Sequence, residues 1–256
     1  MKKLLLILTS GIFMATAFAQ TNPAATLSSD PFEVQNRAYK LALKNYDLPS
    51  ATVALYGMIA LKPERTDLQD SLVLIYFGNE RYAQAYFVGQ EILKNNPQRN
   101  DILELVAVSK QNLGLIKEAL ADYEQLYNKQ KAIFYLYQMA TLQYQLKRYG
   151  KCVASLDQII ADAKSEKEKV NIRMQNGSQE VPMKAAAFNV KGICAIELNQ
   201  PDAAKENFKK AIELFPDFAL AKGNLENINK GNMEKPATTK PASTTTKTTT
   251  TTGAKK

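Results

Sequence analysis

Between residues 32 and 230 the apolar positions recur three and four apart, in short runs divided by polar turns. That spacing predicts a succession of amphipathic helices. DAAKENFKKAIELF, residues 202–215, shows it plainly: Ala204, Phe208, Ala211, Ile212 and Phe215 form one stripe, and lysines and glutamates take the opposite side. Pro216 follows; it lacks the amide that would continue the ladder, so the helix stops there. LPSATVALYGMIALKP (48–63) and YAQAYFVGQEILKNNP (82–97) repeat the plan, with Ala51 and Ala85 where the last stretch has Ala204, and a proline at the end.

Pro63 and Pro97 are 34 residues apart. Numbering a 34-residue unit with its proline at position 32 starts units at Phe32, Thr66 and Asn100, then at Ile133 and Ala185. Position 20 is small throughout: Ala51, Ala85, Ala119, Cys152 and Ala204. A small residue suits a place where two helices approach too closely for more, and a large side chain one turn on fills the wider gap. Each unit predicts two helices joined by a short turn. One such pair cannot bury its faces alone, so the units stack and a polar-faced end is required. PDFALAKGNLENINK (216–230) supplies that end, with Leu220, Leu225 and Ile228 inward.

The frame resembles the tetratricopeptide repeat, whose signature has a bulky residue at 4, leucine and glycine at 7 and 8, and tyrosine at 11. Alanine at 20, an aromatic at 24, alanine at 27 and proline at 32 complete it. Phe188, Gly192, Ala204, Phe208, Ala211 and Pro216 fit the fifth unit, and Leu72 and Tyr76 fit the second. Gly89 at 24, Lys131 in place of proline and Met58 in place of alanine depart from it. The resemblance implies an all-α fold: a right-handed α-solenoid of about five helix-turn-helix units near 32–65, 66–99, 100–132, 133–184 and 185–218, closed by a capping helix at 219–230. It also implies a concave groove lined by the first helix of each unit. Carried across, the lining is Arg37, Lys40 and Lys44, then Asp70, Leu74 and Phe77, then Val108 and Asn112, then Tyr137, Gln138, Thr141 and Tyr144, and finally Asn189. This lining is basic at one end and aromatic towards the other, and suits an extended peptide or a partner helix. The family's carboxylate-binding constellation is not reproduced, because Asp70 and Glu104 stand where they would repel it.

The fourth and fifth units start 52 residues apart, so 161–184 holds an insert. The second helix of the fourth unit is expected to run past Ala161 into a surface loop, with a turn at Asn176–Gly177 and Pro182 at a first helical position.

Charge changes the picture only at the ends. The chain is +8, but two lysines lie in 1–19 and five, with one acid, in 231–256; residues 20–230 hold 26 basic against 24 acidic groups, +2. A folded part so balanced carries no nucleic-acid footprint. Residues 1–19 have a basic start, a short apolar core and Ala17-Phe18-Ala19, the layout of a cleaved signal for export to a bacterial periplasm or beyond. The core is too short to span a bilayer, so no membrane span is expected after cleavage. Residues 20–31 are a linker. Residues 231–256, almost all Thr, Lys, Ala and Pro, are expected to be a disordered tail whose lysines either only keep the chain soluble or also meet anionic envelope polymers weakly.

The chain has no histidine and no glycine-rich phosphate loop. Histidine-based triads and the usual zinc sites are therefore excluded, and no enzyme activity, metal or cofactor is expected. Cys152 and Cys194 occupy positions that can face one another between stacked units; they form either a disulfide or two buried thiols. Two functions follow: a non-catalytic adaptor of the cell envelope holding a protein or peptide in its groove, or a surface- or wall-associated protein placed by its Lys/Thr tail.

Overall fold

A computed structural model describes residues 29–174 and 177–231. The expected signal and most of the expected tail lie outside them. The described chain falls into two compact units, divided after Leu61.

The first unit is a helix pair, α1 (Pro31–Lys44) and α2 (Leu48–Leu61). Asp30 caps α1 by accepting the Phe32 amide at 3.0 Å, and Pro31 sits where a missing N–H costs nothing. Ala51, Ala54, Leu55 and Met58 of α2 are buried.

The second unit is an α-solenoid of successive helix pairs: α3 (Thr66–Gly78) with α4 (Tyr82–Asn95), α5 (Asn100–Asn112) with α6 (Ile116–Gln130), α7 (Ile133–Gln145) with α8 (Tyr149–Ala161), and α9 (Met183–Glu197) with α10 (Pro201–Leu214). A last helix, α11 (Ala219–Asn229), packs on α10 and buries Ala221, Asn224 and Ile228. Inside the pairs the position-20 residues Ala85, Ala119, Cys152 and Ala204 are all buried.

One turn recurs in every pair. Position 15 adopts the left-handed conformation at Tyr46, Glu80, Gly114, Lys147 and Asn199, with φ between 56° and 79°. The next residue's amide then bonds back five residues: Asp47 to Ala42, Arg81 to Tyr76, Leu115 to Lys110, Arg148 to Gln143 and Gln200 to Ala195, all at 2.8–2.9 Å. This is the Schellman closure of a helix, normally made by glycine. Four of the five turns hold a non-glycine residue there, at a cost of about 1 kcal/mol or more each. Lys131, where the family has proline, is also left-handed (φ 53°), and its amide bonds Tyr127 O at 2.8 Å. That cap ends α6 without proline.

The other departures are equally physical. A Cβ at position 89 would lie 2.5 Å from Val106 Cγ2, so α5 fills the space an aromatic would take on α4. At the fifth unit the signature glycine is needed: a Cβ on Gly192 would lie 2.5 Å from Phe208 Cε1.

The insert corrects the expectation of a longer α8 and a loop. Helix α8 stops at Ala161, Asp162 caps a short 3₁₀ turn (Ala163–Glu166), and an antiparallel hairpin follows. Its strands are β1 (Lys169–Met174) and β2 (Gly177–Pro182), with Lys169 opposite Pro182 and Met174 opposite Gly177. Pro182 closes β2 and α9 begins at Met183. Val170, Ile172 and Val181 enter the same apolar cluster as Leu156, Met183 and Phe218. Gln179 clamps the hairpin to the α10–α11 turn, its Nε2 donating to Asp217 O at 2.6 Å and its Oε1 accepting from the Ala219 amide at 3.2 Å.

Candidate protein-binding surface

The positions expected to line a groove divide by helix. On α1, Arg37 is half-buried and Lys40 and Lys44 are exposed. On α3, Leu74 is 56% exposed. Asp70 is half-buried and held by Arg99, whose Nη2 lies 3.0 Å from its Oδ2. Phe77 is buried against Tyr82, edge to face with centroids 5.9 Å apart. On α5, Val108 is buried and Asn112 is exposed, its Nδ2 donating to Val108 O at 2.9 Å.

Helices α7 and α9 overturn the exposed aromatic end. Tyr137 is 1% exposed, and Gln138, Thr141 and Asn189 are also buried. The cause is the run Ala185-Ala186-Ala187, whose small side chains pack into one cluster with Ile133, Leu136 and Tyr137 and leave no room for a ligand at that ring. Thr141 turns its hydroxyl onto Gln138 O at 2.8 Å, and Asn189 Oδ1 accepts from Asn224 of α11 at 3.0 Å. Tyr144 alone of the four α7 positions stays half-buried rather than buried, and its hydroxyl donates to Glu197 Oε1 at 3.0 Å. Phe77, Val108, Tyr137, Gln138, Thr141 and Asn189 therefore serve packing.

A surface that the groove positions alone did not define emerges on α3 and α5. RTDLQD (65–70) and RNDILE (99–104) place arginine, aspartate and a second acid in identical register, one repeat apart. Each arginine bonds the aspartate two residues on, Arg65 to Asp67 at 2.6 Å and Arg99 to Asp101 at 2.7 Å. Arg99 also reaches back to Asp70, tying the two repeats together. These two carboxylates raise the Arg99 pKa further above its ordinary range. The arginines hold Asp67, Asp70 and Asp101, Tyr135 holds Glu104, and Lys129 Nζ donates to Gln98 and Asn100 at 3.3 and 3.2 Å. The four acids thus outnumber the three cations by one formal charge, with exposed Leu74 one turn on from Asp70.

Glu104 is half-buried. Burial pushes its carboxyl up, and the hydrogen bond from Tyr135 at 2.9 Å offsets only part of that. Its folded pKa lies above its unfolded one, so Glu104 favours folding below the ordinary glutamate range and opposes it once pH rises through the shifted value. Glu104→Gln keeps an oxygen for Tyr135. It is expected to raise the melting midpoint at neutral pH, with the gain closing in acid; thermal melts at the two pH values check it.

Beside Gly89, a cavity of about 440 Å³ opens between α4, α5 and α6, with Leu93, Leu103 and Val106 on its walls. Lys110 and Asp122 also line it and form a 2.6 Å ion pair, and Lys110 Nζ lies 5.8 Å above the Tyr86 ring. Among the described residues no group of His, Cys, Asp and Glu is placed to hold a metal, and no helix is long and apolar enough to cross a membrane.

A sequence model of the tetratricopeptide repeat matches residues 185–218, the fifth unit in the frame read above. Comparison with curated proteins returns no match. Among solved structures, a tetratricopeptide repeat protein from Parabacteroides merdae ATCC 43184 is similar over 79% of this chain and 74% of its own, with 18% identity and a TM-score of 0.60. YrrB, described as a TPR protein with an unusual peptide-binding site, is similar over 77% of this chain and 92% of its own, with 15% identity and a TM-score of 0.58. MamA is similar over 75% and 96%, with 11% identity and a TM-score of 0.57. At such identities the likeness speaks to the fold.

Proposed function

We propose that this chain, a member of the tetratricopeptide repeat family, is a non-catalytic scaffold that holds a basic segment of a partner protein against α3 and α5. The family's fold suits protein–protein interaction. The observation that carries the finer reading is the acidic pair repeated in register, Asp67 and Asp70 on α3 with Asp101 and Glu104 on α5, beside exposed Leu74. Complementary charge steers a basic segment to this face and rejects an acidic one, and an apolar residue of that segment covers Leu74. The peptide-binding site named for YrrB supports a peptide as the bound form. The working place we assign is the bacterial envelope, from the basic-apolar-small pattern of residues 1–19, which lie outside the described residues.

A displayed peptide library panned against the purified chain tests this. Enriched peptides should carry Lys or Arg near an apolar residue. Leu74→Lys, a surface change within about 0.5 kcal/mol of neutral for stability, should weaken them at least tenfold. Enrichment of acidic peptides, or equal binding to Leu74→Lys, would overturn the assignment to this face.

A further inference from the structure

Three pairs of side chains join α8 to α9. Tyr149 donates to Glu197 Oε2 at 3.1 Å, Cys152 Sγ lies 3.4 Å from Cys194 Sγ, and Asp157 pairs with Lys191 at 2.5 Å. The α8 partners ascend in number as the α9 partners descend, so one antiparallel register places all three. The two sulfurs therefore face each other because the helices are already in step. Both cysteines are fully buried, and between them in the chain lies the whole hairpin insert. Both are thiols in this structure.

We propose that Cys152 and Cys194 form a disulfide as the chain folds, and that the finished fold then seals it. The co-reactant is a disulfide, of a small thiol or of an oxidoreductase. The thiolate of one cysteine attacks it, forming a mixed disulfide and releasing one thiol. The other cysteine, as thiolate, attacks the protein sulfur of that bond and releases the second thiol. Two protein thiols are oxidised, the co-reactant is reduced to two thiols, and the protons pass to the thiols released. Bond formation needs the sulfurs to close from 3.4 Å to about 2.05 Å, with no change of helix register. The timing follows from burial. A bulky disulfide cannot reach either sulfur in the closed stack, and contact with Cys194 together with burial holds the Cys152 thiol protonated. Oxidation thus belongs to the open chain. The product ties the two ends of the insert together, closing a loop of about 40 residues, where a cross-link constrains the unfolded chain strongly. This inference stands apart from the binding face.

The test refolds the full chain from denaturant in a glutathione redox mixture and, in parallel, under reductant. The oxidised product should be two hydrogens lighter and free of glutathione adducts. Its peptides carrying 152 and 194 should be joined, and its melting midpoint should rise by several degrees over the reduced form. Folded reduced protein held in oxidised glutathione should keep both thiols over the same period. Free thiols or stable glutathione adducts after oxidative refolding would overturn the bond. Equal oxidation of the folded protein would overturn the seal. Cys152→Ser should melt alike in both buffers; wild-type mass alone decides should that variant misfold.

Discussion

Phe208→Ala is expected to destabilise the protein by about 3–5 kcal/mol. The ring is fully buried in the fifth repeat, with Ile193, Ala195, Ala204 and Ile228 in its cluster. The more telling result concerns Gly192. An added Cβ there would meet Phe208 Cε1 at 2.5 Å, Cδ1 at 2.8 Å and Cζ at 2.9 Å. The ring is enclosed and cannot swing aside, so Gly192→Ala should cost about 1–3 kcal/mol although alanine is the better helix former. The double variant places the new methyl in the space the ring has left. Its loss should be smaller than the sum of the single losses by about 1 kcal/mol or more, the sign of two groups competing for one volume. Denaturant unfolding of the four proteins, followed by helix signal, measures it. Additive losses would mean that the ring does not lie over Gly192.

Tyr137→Glu should be worse still, at about 4 kcal/mol or more, because it places a charge at a position only 1% exposed. Tyr137 shares one cluster with Ile133, Ala140, Ala186 and Val190, which are buried and apolar. Tyr137→Phe keeps the ring and should cost about 1 kcal/mol, the worth of one hydroxyl's interactions. Helix content and unfolding midpoint separate the two outcomes. A folded Tyr137→Glu with a near-native midpoint would return that ring to the surface and reopen the aromatic end of the groove.

The helical repeats were legible because a 34-residue period leaves marks at many positions at once. The recurring left-handed turn was not: glycine marks it only at Gly114, while Tyr46, Glu80, Lys147 and Asn199 take the same conformation. Their backbone is held there by the two hydrogen bonds that close each first helix. The hairpin carried a readable signal, Val170 and Ile172 alternating with polar residues ahead of Asn176–Gly177. The helical period on either side of it is the stronger pattern, and a six-residue strand is too short to stand out against it. The acidic register of RTDLQD and RNDILE recurs at the same spacing as the prolines, but only the fold brings Arg99 onto both Asp70 and Asp101.

The sequence by itself determined the number and order of helices in the repeats, the small residues where they cross and the stops ahead of Pro63, Pro97 and Pro216. Those features depend on neighbours three, four or 34 residues away, and a periodic chain states them repeatedly. Only the tertiary structure decided which side of each first helix meets water. A first helix has one face for its own partner, another for the next repeat and a third for solvent, and all three tolerate apolar residues. Leu74 stayed open and Tyr137 was enclosed because of how closely neighbouring repeats approach. That approach is set by side chains as remote in sequence as Ala185–Ala187, whose small volumes brought α9 into the cluster that encloses Tyr137.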